Sequence, residues 1–497
     1  MTAVTEDLRV CWGHDERVKA TLWFSGFVGL HLVLWTLLPS LLNNNLPLDV
    51  IEGLAWGHEW QFGYHKGPPL FAWLVELAGV IGRKTAWLFY LESQLCLLVT
   101  FFAVWRLGLR VIGPQGALAG VFLLEGIYYF GYPSPEFNEI ILQMPFAALF
   151  GLWLYRALRE GRMVDWIVTG LVTGAGLWSR YSMAAFILPL TLFVTIHPGT
   201  RHLWRKFGPY AAILAALITF LPHLFWIVET DFISLRYVGE RGVVAAHALA
   251  SLTGILKFAG SQALALLGML LMLAVLAVQQ KEAVSSDSGA PSAFDRSYVA
   301  LLAGGPFATA IVLSLLSGHS LRSMWGGSLW VFAGLGAILI LRPHLDTFQV
   351  KRLAVMAFAA LVVSLSAYAI VQIGGPWLKK GAFRTRFPGV ALASQVEKTW
   401  VDHTHEPLRF VVGDAWLAGN LGFYASSRPS VFIDGDLRRS PWIDLREIER
   451  HGAVLVWPAN KEPAWMEQFP LAQRQSSALP GGSKNVPLEW AIVPPRS

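Results

Sequence analysis

Residues 46–74 read LPLDVIEGLAWGHEWQFGYHKGPPLFAWL and carry six acidic or basic side chains: Asp49, Glu52, His58, Glu59, His65 and Lys66. Long apolar runs flank them, 20–42 before and 86–109 after. A hydrocarbon core is crossed by about 20 apolar helical residues, so each run is long enough to span. The quoted stretch then lies in a first loop, 43–85, between two spans. A loop of that length is functional or disordered, and its Trp, Tyr, Phe and Leu content argues against disorder. VIEGLAWGHEW and PLFAWLVELAGVIGR read as short amphipathic helices in the interface, where Trp and Tyr are comfortable. His58 and Glu59 fall on the polar face of the first of them.

The composition supports this reading. The chain has 497 residues, 54% hydrophobic and 14% charged, with mean hydropathy +0.48. An ordinary soluble domain carries about 25% charged residues, which points to an integral membrane protein. The net charge of +6 is scattered between apolar runs, which topology explains and a nucleic-acid partner does not. Two cysteines, Cys11 and Cys96, imply no disulfide framework. The run 22–42 is too long for a cleaved signal and lacks a small-residue cleavage site, so it reads as an uncleaved span.

Further apolar runs at 115–131, 137–156, 165–179, 182–197, 208–228, 252–278, 298–317, 324–341 and 353–373 bring the total to about eleven spans. With the N-terminus cytoplasmic, RALREGRMVD, HPGTRHLWRKF, QQKEAVSSDSGAPSAFDRS and LRPHLDTFQVKR all fall inside, as the excess of Lys and Arg in cytoplasmic loops requires. The odd span number then delivers 377–497 to the periplasmic side of a bacterial inner membrane. In that tail LRFVVGD, PSVFID and AVLVWPA are strand-like and PGVALASQVEKTWVDH helix-like, which suggests a small α/β domain. The fold expected is thus an all-α polytopic membrane bundle, 1–376, followed by a C-terminal periplasmic α/β domain. KEAVSSDSGAPSA is the best linker.

Asp49 follows NNNLP where the first span leaves the lipid. It can serve as a general base toward a hydroxyl, or cap a helix starting at Val50. Glu52 lies one turn on, as a second acid or a solvated one. Lys66, stiffened by Gly-Pro-Pro, suits a lipid phosphate or simply snorkels. Positive charges on the outer side run against the topological trend and so merit attention: Arg83, Arg180, Arg236, Arg241 and Arg322. Converging, they would form a cationic pocket for phosphate oxygens; otherwise they are separate interfacial anchors. Tyr64 and His65 beside Lys66, and Asn138 and Glu139 in FNEIILQMPF, are possible substrate contacts, the latter two also helix-cap candidates. Glu125 reads as paired within the bundle. The 13 histidines show no metal-ligand spacing, and no Gly-rich nucleotide loop occurs.

With those residues laid out, the sequence resembles membrane glycosyltransferases of the GT-C superfamily. It is most similar to the bacterial group of aminoarabinose, galacturonosyl and protein O-mannosyl transferases. The first loop carries the resemblance: an acidic residue after span 1, then Tyr-x-Lys-x-Pro-Pro-Leu ending in Trp. Many members have an acid directly after the catalytic Asp or directly before the Lys, where this chain has Val50 and His65. The resemblance implies a polyprenyl-phosphate-linked sugar as donor, Asp49 as catalytic base and Lys66 as phosphate ligand, with inversion at the anomeric carbon. No cofactor is required, and a divalent metal is possible but not indicated. The acceptor expected is lipid A or core oligosaccharide, with protein hydroxyls second. The rival from another class, a flippase of lipid-linked sugar, calls for charges near the bilayer midplane and symmetric halves, whereas here the notable charges cluster at one surface.

Overall fold

In a computed structural model of the chain, the residues described are 14–82, 85–241, 248–277, 291–378, 383–475, 478–480 and 487–496. Cys11, Arg83, Lys84, most of the 281–293 linker and the side chain of Arg241 lie outside them. The helices in order are α1 (His14–Leu42), α2 (Leu48–Gly57), α3 (Leu70–Ile81), α4 (Trp87–Val111), α5 (Gly113–Glu125), α6 (Glu139–Glu160), α7 (Met163–Ser179), α8 (Ala184–Ile196) and α9 (Phe207–Glu229). There follow α10 (Ile233–Arg241), α11 (Ala248–Ala265), α12 (Leu267–Ala277), α13 (Ala293–Ser317), α14 (Ala333–Leu341) and α15 (Thr347–Leu378). The C-terminal part adds α16 (Gly389–Thr404), α17 (Leu417–Tyr424) and α18 (Leu445–His451) around a sheet.

All eleven apolar stretches are helical, in whole or in large part. Six helices, α1, α4, α6, α9, α13 and α15, are long and apolar enough to cross a membrane, and up to eight spans result if each of two bent pairs counts as one. The remaining three stretches form α5, α7 and α8, of 13, 17 and 13 residues. Outward-facing Leu214, Leu217, Ile218, Phe225 and Val228 on α9 give it the apolar exterior of a lipid-facing helix. α5 is the centre of the bundle, buried along its whole length.

The α11 and α12 pair bends by 55° for a visible reason. Met269 donates its backbone N–H to the carbonyl of Gly126 at 2.9 Å. A Cβ on Gly268 would sit 2.4 Å from that oxygen, so only glycine permits the approach. Glu125, read as bundle-paired, is hydrogen-bonded to His31 at 2.9 Å in the core.

The first loop folds as two short helices, α2 and α3. Pro47 precedes α2 and Pro69 precedes α3, each at a position where a missing N–H costs nothing. Between them Tyr64 and Gly67 exchange both backbone hydrogen bonds, at 2.9 and 3.0 Å, closing a tight turn around His65 and Lys66.

The C-terminal sheet has the order β2-β1-β3-β5-β4. Strands β1 (Phe410–Gly413), β2 (Ser430–Ile433) and β3 (Ala453–Pro458) are parallel, while β5 (Leu488–Val493) pairs antiparallel with both β3 and β4 (Gln473–Arg474). The first three are the strands anticipated from the sequence; β4 and β5 were not. This unit rests directly on the first loop. α17 packs across α2, where Gly419 meets Ile51 and Ala55 and a Cβ would come within 2.9 Å of Ile51. Asn45 donates to Asn420 at 2.9 Å, and the Asn44 and Asn45 N–H groups donate to the Thr385 carbonyl at 2.8 and 2.9 Å.

Candidate active site

One turn of α2 separates Asp49 from Glu52, which puts both carboxylates on one face. The opposite face, Val50, Ile51 and Leu54, is buried, so the acids are turned into a cavity of about 90 Å³. Asp49 does not cap the helix: α2 begins at Leu48, with Pro47 in the cap position. α2 also supplies Trp56, and α3 supplies Phe71. The tight turn projects Lys66 into the same space, where its ammonium pairs with Glu52 and lies 5.5 Å from the centre of the Trp56 ring. Aromatic faces of this kind attract cations.

The other wall comes from distant elements. Asn138, Glu139 and Ile140 line it at the start of α6. Asn138 is both liner and cap, its side chain accepting from the N–H groups of Ile140 and Ile141 at 3.0 and 3.1 Å. Arg180 enters from the extended residue that ends α7, its guanidinium 6.0 Å from the Trp325 ring. Met324 and Trp325, from a 3-10 turn at Ser323–Trp330, complete the lining. Glu139 thus sits in the combined field of Arg180, Lys66, Asp49 and Glu52.

The structure therefore brings together Asp49, Glu52, Lys66, Asn138, Glu139 and Arg180 of the residues singled out in the sequence. Tyr64 and His65 are buried just behind Lys66 rather than lining the cavity: Tyr64 stacks on Trp56 and His65 stands edge-on to it, with ring centres 5.7 and 5.5 Å away. Arg322 is exposed at the start of the 3-10 turn, outside the cavity lining. Arg236 points away, paired with Asp231 at 2.6 Å. Of His58 and Glu59, expected on the polar face of the helix, Glu59 meets the C-terminal part and His58 meets a residue that binds it. His58 lies 3.5 Å from Glu76, which also holds Arg428 at 2.6 Å, and Glu59 accepts a hydrogen bond from Ser430. Burial pushes the Glu59 carboxyl above its usual range.

Glu136 is the site residue the sequence reading missed. Its carboxylate accepts the backbone N–H of Asp49, and burial, then the Asp49 charge, raise its pKa to about 7 against the opposing pull of that N–H and of Arg384. The motif FNEIILQMPF starts one residue after it. Only the fold of the loop 126–138 against α2 reveals the contact. Among the described residues, no three His, Cys, Asp or Glu side chains are placed to hold a metal. What the cavity can do is hold an anion against Lys66 and Arg180 while a carboxylate takes a proton beside it.

Comparison with known proteins points the same way. Residues 66–226 match the family described as dolichyl-phosphate-mannose-protein mannosyltransferase. The lipopolysaccharide core galacturonosyltransferase RgtA of Rhizobium johnstonii is 24% identical over 488 residues, covering 93% of this chain and 92% of the relative. A second core galacturonosyltransferase of that organism, RgtB, is 23% identical and covers 88% and 87%. Among solved structures, ArnT from Cupriavidus metallidurans bound to undecaprenyl phosphate shares the fold, with a TM-score of 0.61 at 13% identity over 95% of this chain and 98% of ArnT. On fold and sequence together, the chain is a membrane glycosyltransferase similar to those of the GT-C superfamily.

Proposed function

We propose that the protein moves a sugar from a polyprenyl-phosphate donor to the core oligosaccharide or lipid A of lipopolysaccharide. The observation that carries this reading is the meeting of Asp49, Lys66 and Arg180 in one cavity. Asp49 removes the proton of an acceptor hydroxyl, and the freed oxygen forms its bond to the anomeric carbon from the face opposite the donor phosphate. The bond from that carbon to the phosphate oxygen breaks, with inversion, and its electrons leave on the polyprenyl phosphate. The charge developing there falls to Lys66 and Arg180, so electrostatic stabilisation outweighs acid catalysis. Glu52, which pairs with Lys66, gives way to the donor phosphate.

Relatives aligned over nearly their whole length act on the lipopolysaccharide core by name, and a fold neighbour was captured with undecaprenyl phosphate. These support the acceptor and the carrier. The loop charges support eleven spans with the N-terminus cytoplasmic and the C-terminal part on the periplasmic side of the inner membrane. The family match over 66–226 favours protein hydroxyls as the second acceptor class. Mass spectrometry of lipid A and core oligosaccharide from a strain lacking the gene decides between them. A missing hexose, uronic acid or aminosugar names donor and acceptor together; unaltered lipopolysaccharide contradicts the proposal.

A further inference from the structure

The C-terminal sheet carries a second concavity, far in sequence from the catalytic cavity. It is a shallow, open cleft of about 580 Å³, lined by Asp434, Asp436, Arg438, Trp465 and Gln468 among others. Its position is the one open parallel sheets use for ligands, beyond the carboxyl ends of the strands: Asp434 directly follows β2. The loop is shaped around the indole. Gly435 has φ +60°, and a Cβ there would fall 2.6 Å from Cβ of Trp465, so no larger residue fits. Gln468 donates to the Gly435 carbonyl at 3.2 Å, tying the two walls together. Trp457 and Phe469 brace the half-buried Trp465 ring edge-on, at 6.3 and 6.4 Å between centres.

The chemistry of this lining narrows the ligand. Two carboxylates disfavour a phosphate or a polyanion, and Arg439 already meets the charge of both, at 2.5 Å from Asp434 and 3.6 Å from Asp436. Neutralised carboxylates, a free guanidinium edge and an amide make a surface that exchanges hydrogen bonds with hydroxyls in both directions. A braced indole offers a flat apolar face. Flat apolar face plus paired hydroxyl partners is the complement of a sugar ring.

A short chain segment links the cleft to the elements behind the catalytic cavity. The loop that forms its wall runs on to Trp442, whose indole N–H donates to the Val431 carbonyl at 3.2 Å and whose ring meets Tyr64 edge-on at 6.2 Å. Tyr64 is one end of the turn that carries Lys66. The eight-residue step from Asp434 to Trp442 can reach at most about 28 Å, a distance within the span of an oligosaccharide.

We propose that the cleft at Trp465 is a saccharide subsite that grips a part of the acceptor glycan not undergoing reaction, and so presents its hydroxyl to Asp49. This rests on the glycan-acceptor reading above. The test uses the full-length protein in nanodiscs, titrated with delipidated core oligosaccharide and assayed for transfer from a polyprenyl-phosphate sugar. Trp465→Ala is expected to weaken oligosaccharide binding and raise acceptor KM about tenfold, as loss of a central aromatic anchor does, with kcat and donor affinity unchanged. Asp436→Asn, which can still accept the Arg438 N–H, is expected to do so several-fold. Unchanged binding and KM in both variants overturn the subsite, as does a fall in kcat alone. Trp465-dependent oligosaccharide binding by a wild-type protein that transfers nothing would keep the subsite and reject the transferase assignment; normal transfer by both variants at unchanged KM would do the reverse.

Discussion

Lys66 and Glu52, fourteen residues apart in the chain, form an ion pair inside the cavity, and the ammonium lies over the Trp56 ring. Under the proposed function, Glu52 therefore occupies the cation that a donor phosphate would use. Removing its charge relieves both the competition and the repulsion of the phosphate, so Glu52→Gln is expected to tighten polyprenyl phosphate several-fold. Lys66→Ala is expected to weaken it by roughly 10- to 100-fold, the worth of about 1.5–3 kcal/mol for a hydrogen bond to a charged group. Equilibrium binding of polyprenyl phosphate to both purified variants checks the pair; opposite signs are the expected result.

Glu136 holds its proton up to about pH 7 in the folded chain, chiefly through burial and then through the Asp49 carboxylate. Its ordinary value is 4.5. The folded state thus binds a proton that the unfolded chain releases, so this contribution to stability is complete below about pH 4.5 and is lost as pH rises through about 7. Glu136→Gln keeps the neutral form and can still accept the Asp49 N–H. Its apparent melting temperature is expected to rise above wild type progressively between pH 5 and 8. A gap that does not change with pH contradicts the placement.

The C-terminal part is locked to the first loop by Arg428, which reaches the buried Glu76 at 2.6 Å. Arg428→Ala leaves that carboxylate with His58, 3.5 Å away. Breaking a buried pair from one side costs about 3 kcal/mol or more, while replacing both partners by apolar residues is often neutral. Arg428→Ala is expected to make the C-terminal part sensitive to limited proteolysis, and Glu76→Leu with Arg428→Met to restore resistance. Equal resistance in all three proteins would show that the pair does not hold the interface.

The parts of this molecule legible in the sequence were those set by local pattern. Apolar runs gave the helices of the bundle, and alternating punctuation by Pro, Gly and charge gave β1, β2 and β3. Asp49 and Lys66 were visible because acids and bases are conspicuous between apolar spans. Pairwise geometry was not legible. Nothing local distinguishes Arg180, which reaches the cavity, from Arg236, which turns to Asp231. His58 and Glu59 read as no more than a polar face because what surrounds them, Ser430 on Glu59 and Arg428 on the Glu76 that His58 meets, lies some 370 residues further along the chain. Glu136 escaped for the same reason: its partner is a backbone N–H, which leaves no trace in side-chain patterning.

The claim at the centre is that Asp49 takes the acceptor proton while Lys66 and Arg180 hold the leaving phosphate. Single-turnover transfer by purified Asp49→Asn, measured beside its affinity for the polyprenyl-phosphate sugar, tests it most directly. The account predicts near wild-type donor affinity with transfer slowed about 10²- to 10⁴-fold, the usual worth of a general base. A properly folded Asp49→Asn protein that retains more than roughly a tenth of wild-type transfer, well above that range, would contradict it.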